Sequence, residues 1–594
     1  MINKLKQHKL ILIIFIIGII LIVTGTTYSF YKIKLEGQKQ HIVSSDVISF
    51  TYKESEDKIS ITNMNPISDT QGKKNNYFEF KVLSKLKENM NIKYIVSLSK
   101  IDIENSFEDN DIKMYLTDGN DNELISPTII SLLEENNKIK DSKIIYANTF
   151  AYNEQEQTHT YRIRIWLKEN VDMSKYTKVV ETETGTNVSL EQKTYKFKIN
   201  VNTIENLDTS GANKPVLASN MIPVYYDETE EVWKKANKDN NDKTNPWYSY
   251  NKAGEYKGMW ANAVTVTSDK LEIYKNASVG TTISMDDIAT MWVWIPRFNA
   301  VTPSNYNGGT ADNPGAIDVT FVKQNETAID AFTFGNKELS GFWYGKFEVG
   351  HTTLASSGTN NTLGCTNETC SNANGIIIKP NVTSLRNNNP SNFFFASRSM
   401  EQPNNSFGFV NTEVDTHMSK NNEWGAVAYL THSIYGRCTS STTCTEVGIN
   451  SSGFITGYGA PAGSSGSVTN GAYNTDLGKD ASTTKNIYGI YDMSGGMAEY
   501  VMGVYSNTKG LSGFNSLPDE KYYNNYTESS YTYHALTETN GWYSDAAYFA
   551  SKSYPWFKRG GYYGESKGGG VFNFSAQDGG CHNLLSSRFV ITNE

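Results

Sequence analysis

An apolar run close to the N-terminus sets the first condition on this chain. Lys4, Lys6 and Lys9 precede Leu10 to Val23, and weakly polar residues carry the run on to about Phe30. With its flanks the run reaches the ~20 residues that cross a ~30 Å hydrocarbon core. Every backbone amide there must bond within the segment, so a helix is expected. The preceding lysines favour a cytoplasmic N-terminus, offset in part by Lys32 and Lys34 on the far side. A cleaved signal peptide is the rival reading, because Thr24-Gly25-Thr26 offers small residues near the right place. The uninterrupted run and the lack of an Ala-x-Ala site favour a retained anchor. Residues 1–34 are therefore expected to form a cytoplasmic tail and transmembrane signal anchor. That makes a single-pass protein of the cell membrane with the bulk of the chain extracellular.

The remaining length is too great for one core, since 594 residues suit several domains of roughly 100–200 residues each. Aromatics make up 12% of the chain, with 37 tyrosines, and supply the apolar area that offsets ordering entropy. Abundant Lys, Ile and Asn give a bacterial flavour. A net charge of −9 with no basic stripe argues against nucleic acid, which needs clustered Lys and Arg to displace counterions.

Residues 41–202 read as a β-sandwich spacer. Ile48 to Tyr52, Tyr77 to Val82, Tyr94 to Leu98, Tyr161 to Leu167 and Tyr195 to Val201 alternate apolar and polar with a period of two. Turn-forming residues separate them, as antiparallel sandwiches require. A short helix is expected within 126–139, and His159 is expected to face solvent. Residues 203–220 turn to Asp, Ser, Gly, Asn and Pro and read as a linker. Beyond it, 221–594 is rich in Trp, Tyr and Gly, so rings form the core and glycines permit tight turns. Met291 to Phe298 and Gly341 to Val349 read as buried strands. A helix is expected to begin at Asn389-Pro390. Another should span about Asn422 to Ile434, with Trp424, Val427, Leu430 and Ile434 on one face and Gly436 as its stop.

Five cysteines are present: Cys365 and Cys370, Cys438 and Cys444, and Cys581 alone. Outside the cell, two short local disulfides are the natural pairing. C-x4-C and C-x5-C without nearby histidines match no strong zinc pattern.

The segment Asn486-Ile-Tyr-Gly-Ile-Tyr-Asp492-Met-Ser-Gly-Gly496-Met-Ala498-Glu499-Tyr500 resembles the core motif of the formylglycine-generating-enzyme (sulfatase-modifying factor) family, N-x-Y-G-L-Y-D-M-x-G-N-V-W-E-W. Trp343 to Val349 is similar to that family's first core strand, and Glu423 to Leu430 to its helix. Arg559-Gly560-Gly561 through Arg588-Phe589-Val590 resembles its closing pattern. The likeness covers roughly 280–594. It implies an α+β, loop-rich C-type-lectin/formylglycine-generating-enzyme-like domain, so the whole is multidomain: anchor, all-β sandwich, then this domain.

Where the chain departs from the family pattern, the family's chemistry is put in doubt. The enzyme oxidises a cysteine with a copper-binding thiolate pair near its C-terminus; here Cys581 stands alone, and one thiol cannot give two-sulfur copper. Gly496 and Ala498 replace an Asn and a Trp, which also puts a family calcium site in doubt. No catalytic residue, resident metal or other cofactor is expected, with calcium left open. Arg559 and Arg588 are expected to pair with carboxylates such as Asp492 or Glu499. The same scaffold serves display in C-type-lectin-like variable proteins, including targets of diversity-generating retroelements. Pro555 to Glu565 followed by Gly570 to Phe574 is similar to the variable tract with which that scaffold ends. Its expected ligand-binding residues are Tyr562, Tyr563, Glu565, Lys567, Asn573, Ser575, Gln577, Asp578, His582 and Asn583, with Phe572 and Phe574 inward. The leading expectation is a surface protein that binds an extracellular protein or glycan without catalysis. The alternatives are a formylglycine-generating-type oxidase acting on a protein cysteine, and a pilus or phage-associated fibre component.

Overall fold

A computed structural model describes residues 34–36, 40–44, 48–54 and 61–62. From 65 to 593 it describes all but 87–91, 102–105, 137–138, 140, 151–154, 183–184, 191–192, 205–206, 244, 355–359, 467 and 528–540. The apolar run from Leu10 to Phe30 lies outside these. Among the described residues no helix is long and apolar enough to cross a membrane. The structure is mostly β-sheet with few helices. The chain divides into two compact units, 1–206 and 207–594.

In the first unit, period-two alternation builds two large antiparallel sheets, beside a two-stranded pairing of Thr177–Thr182 with Gly185–Leu190; Ile61–Thr62 also pairs with Thr194–Ile204 in the first of the two. One orders Lys34–Glu36, Thr194–Ile204, Ile92–Ile101 and Ser142–Phe150. The other orders Gln40–Ser44, Ile48–Glu54, Phe78–Leu86, Gln157–Leu167, Ile112–Asp118 and Glu123–Ile129. Their apolar faces share one core. Phe78 meets Phe197 edge-on at 6.1 Å, and the hydroxyls of Tyr94 and Tyr161 lie 2.5 Å apart. Trp166 points the other way and is covered by the short helix Asp69–Gly72. A side chain at Gly72 would start 2.2 Å from that indole, so only glycine fits. Two expectations fail here. The described residues of 126–139 hold only a single 3-10 turn, Ile130–Leu132, because Glu123–Ile129 is taken up by sheet pairing. His159 is half-buried rather than solvent-facing. Its ring stacks on Phe150 at 4.1 Å, and its Nδ1 lies 2.6 Å from the Tyr94 hydroxyl.

The second unit is organised by a seven-stranded antiparallel sheet. Its order is Val232–Lys235, Ile222–Asp227, Asn262–Val266, Ile288–Pro296, Gly341–Gly345, Phe589–Asn593 and Val414–Met418. Phe589–Asn593 thus enters the sheet between Gly341–Gly345 and the edge strand Val414–Met418. A second sheet is centred on Ala498–Tyr505, which pairs antiparallel with Trp556–Arg559 and parallel with Asn524–Tyr526 and Leu585–Ser587. The helix Pro390–Ser399 packs against Val414–Met418 and Ala498–Tyr505, and the helix Asn421–Thr431 packs against Ala498–Tyr505. The Asn389 side chain caps the first by accepting from the Asn392 amide. The second is buried along its whole length, and Glu423 accepts from the Lys420 amide at its start. It ends at Thr431, short of Ile434. Gly436 follows where a Cβ would lie 2.3 Å from the Thr431 carbonyl.

Several indole N–H groups fasten loops to this core, as buried tryptophans usually do. Trp247 donates to Asn262, Trp260 to Tyr435, Trp424 to Val571 and Trp556 to Lys509, all at backbone carbonyls. The same device overturns the linker reading of 203–220. Trp294 donates to the Asn213 carbonyl and Trp343 to that of Val216, while Leu207, Ala212 and Ala218 are buried. From Leu207 the polar stretch belongs to the second unit, because its carbonyls complete the indoles of the central sheet.

Candidate functional site

Four segments of the second unit enclose an open cleft of about 500 Å³. Its walls are Thr383 and Arg386 from one loop, Ser451 to Ile455 from another, and Gly466 with Tyr563. The Arg386 guanidinium carbon lies over the Phe454 ring, 3.9 Å from its centre, and burial pulls the Arg386 pKa below the ordinary value. Tyr563 meets Phe454 edge-on at 5.6 Å, and Tyr562 meets Tyr563 the same way at 5.5 Å.

The motif residues hold this cleft from below. Asp492 is fully buried, and burial raises its pKa. One of its oxygens accepts from the Asn450 side-chain amide at 2.8 Å and from the Gly457 amide at 2.9 Å. Asn450 in turn donates to the Ile455 carbonyl and accepts from the Ser452 amide, which shapes the loop that carries Phe454. Glu348 accepts from Ser384, two residues before Arg386, and from the Met497 amide at 2.7 Å. Burial first, then the neighbouring carboxylates of Asp492 and Glu499, push the Glu348 pKa well up. The Gly496 carbonyl accepts from the Tyr563 amide at 2.9 Å. Gly496 itself has φ of 67°, and a Cβ there would lie 2.4 Å from a Glu348 oxygen. Both constraints favour glycine at this position.

Arg588 donates to Glu499 at 2.6 and 3.1 Å and to the carbonyls of Gly345 and Tyr491. Arg559 is held differently. It donates to Asn421 at 3.4 Å and lies over the rings of Trp424 and Phe574, because its strand partner Glu499 is already held by Arg588.

The ten tract residues are distributed unevenly. Tyr563 lines the cleft and Tyr562 packs beside it. Lys567 is exposed and lies over Gly463. Glu565 is half-buried, and burial raises its pKa. Asn573 is buried rather than exposed. Phe574 begins the strand Phe574–Gln577, so Asn573 lies in the preceding turn and its amide donates to the Gly568 carbonyl at 2.6 Å and to Glu565 at 3.3 Å. Ser575 and Gln577 are half-exposed, in register with Lys558 and Trp556. Asp578 closes its own turn onto the Gly580 amide. His582 and Asn583 are exposed, and the His582 carbonyl accepts from the Asn387 amide, next to Arg386. Arg386 and Phe454 escaped the sequence reading. Their one signal is a large side chain isolated in a glycine-, serine- and asparagine-rich stretch.

Other chemical groups serve the fold. Cys365 is bonded to Cys370 and Cys438 to Cys444, leaving Cys581 as the free thiol. Its sulfur lies 2.8 Å from an Asn361 oxygen, and burial raises its pKa, opposite to the thiolate character that copper requires. His432, Cys438 and Cys444 place their ligand atoms within 4.8 Å of one another, yet both sulfurs are committed to each other. Calcium needs several oxygens converging on one ion. Asp492 and Glu499 do not fit that need, since their oxygens already accept from Asn450, Gly457 and Arg588. His417 and His432 do not pair. His417 is clamped between Asp415 at 3.1 Å and Glu423 at 3.0 Å; burial opposes its charge, and the two carboxylates override that and raise its pKa. His432 meets the rings of Trp542, Tyr543 and Phe572 at 5.2, 5.5 and 5.6 Å.

No protein-family model matches this chain, and no curated protein matches it.

Proposed function

We propose that this chain is a single-pass bacterial surface protein. Its second unit, a formylglycine-generating-enzyme/C-type-lectin-like domain, holds an extracellular protein or glycan without changing it. The observation that carries the reading is Tyr563. It comes from the tract expected to bind, and it stands with Phe454 and Arg386 in the wall of the cleft. Rings with two rotatable angles give contact area at low entropic cost, and the Thr383, Ser451 and Ser452 hydroxyls add adaptable hydrogen bonds. The buried carboxylates beneath are occupied in shaping loops, which suits a rigid binding platform.

The oxidase reading asks for a second thiol beside Cys581, and the other four cysteines are bonded in pairs. The test is to incubate the full chain with copper and a cysteine peptide, and separately to probe it on arrays of glycans and extracellular proteins. The expected result is no formylglycine and at least one ligand whose retention falls in Tyr563→Ala. Peptide oxidation, or binding indifferent to Tyr563, would remove the reading.

A further inference from the structure

We propose that His432, Cys438 and Cys444 form a redox-gated zinc site, closed while the two cysteines are bonded and opened when a dithiol reduces them. In the oxidised chain the sulfurs are joined to each other. Two electrons and two protons from the dithiol turn that bond into two thiols, and the dithiol closes to its own disulfide. Zinc then takes both sulfurs as thiolates and releases the two protons. Two thiolates balance the charge of the ion, so the complex can be buried without a net charge. Sulfur and imidazole ligands select zinc over calcium or magnesium.

Distance is the first argument. The three ligand atoms already lie within 4.8 Å of one another. Ligands around one tetrahedral zinc stand roughly 3.5–3.8 Å apart, a difference that rotation of the cysteine side chains spans. The His432 Nε2 lies 3.3 Å from the Pro314 carbonyl and carries the proton it donates there. The neutral ring then keeps its lone pair on Nδ1. A backbone carbonyl on the second nitrogen is the usual support of a metal-bound histidine.

Backbone order is the second. Cys438 and Cys444 face each other across an antiparallel bridge, and the Thr439 amide donates to the Thr443 carbonyl at 2.8 Å. The Thr445 amide donates to the Arg437 carbonyl at 3.3 Å, and the Arg437 guanidinium donates to the Thr445 and Glu446 carbonyls. The Cys438 amide donates to the Ser433 carbonyl at 3.1 Å, next to His432. None of these bonds needs the disulfide, so reduction leaves the sulfurs beside the ring. His432 caps the C-terminal end of Asn421–Thr431, where the helix dipole favours a cation. His432 and Cys438 are buried, while Cys444 is partly exposed behind the exposed tip from Thr439 to Thr443. A reductant reaches the pair from that side, and a water from there fills the fourth position on the ion. Cys365 and Cys370 are the internal control, since no third ligand of this kind joins them among the described residues.

The experiment takes the full chain in detergent, either oxidised or reduced with dithiothreitol and freed of it without air. Each form is titrated with zinc and with cobalt. The reduced chain is expected to take up zinc and the oxidised chain none, with cobalt giving the thiolate charge-transfer absorption of a tetrahedral site. Cys438→Ser/Cys444→Ser should lose that absorption, and Cys365→Ser/Cys370→Ser should keep it. His432→Gln, verified as folded by melting of its oxidised form, should weaken zinc binding by roughly ten-fold or more. Zinc should raise the melting temperature of the reduced chain and leave that of the oxidised chain unchanged. Equal uptake by both forms, no uptake by the reduced form, or indifference to His432→Gln overturns the assignment. So does absorption that survives Cys438→Ser/Cys444→Ser or disappears with Cys365→Ser/Cys370→Ser. A reduced chain with no melting transition also overturns it, because the ligands would no longer be gathered.

Discussion

Arg588 grips both carboxylate oxygens of Glu499, at 2.6 and 3.1 Å, with neither residue reaching solvent. The pair joins the strand that closes the chain to the motif strand Ala498–Tyr505. A buried charge left without its partner costs far more than the intact pair contributes. Arg588→Ala should therefore destabilise the second unit by ~3–5 kcal/mol. The double change Arg588→Met with Glu499→Leu should recover most of that. Thermal melting of the three variants checks this; an Arg588→Ala protein that melts with the parent contradicts it.

Gly496 meets two constraints at once, a positive φ and the Glu348 carboxylate. Gly211 also has positive φ, at 83°, with nothing near the position of a Cβ. Asn tolerates that backbone region, so Gly211→Asn should cost under about 1 kcal/mol. Gly496→Asn should cost about 2 kcal/mol or more, since tight packing adds to strain. Urea denaturation of both variants decides it, and equal losses would show that Glu348 gives way freely.

His432 should make the second unit sensitive to acid. Burial holds its pKa down at about 4, against about 6.5 for an unfolded chain. A depressed histidine pKa means that the folded state refuses a proton which the unfolded state accepts. The contribution is complete above pH 6.5 and erodes as pH falls towards 4, amounting to on the order of 3 kcal/mol. His432→Gln keeps a donor for the Pro314 carbonyl but cannot charge. Its melting temperature should fall less between pH 6.5 and 4 than that of the parent; parallel curves would contradict the assignment.

Much of the architecture was legible in patterns that depend on local order. The alternation from Tyr161 to Leu167 is a strand, and the cap at Asn389 does start a helix. What the patterns could not carry was closure between distant loops. Asn573 looked exposed by alternation, yet two hydrogen bonds turn it inward. Residues 207–220 looked like a linker by composition, yet the indoles of Trp294 and Trp343 draw them onto the sheet. Arg386 and Phe454 meet because Asn450 bonds Asp492, 42 positions along the chain, and no periodicity encodes that contact. The tract was legible as chemistry; its partners across the cleft were legible only in three dimensions.

The central claim is that the cleft beside Tyr563 is where a ligand is held. The most direct measurement is array binding by the full chain and by its Phe454→Ala/Tyr563→Ala variant, both verified as folded by melting. The account predicts that ligands retained by the parent are weakened by roughly ten-fold or more in the variant. Identical profiles from the two proteins would contradict it.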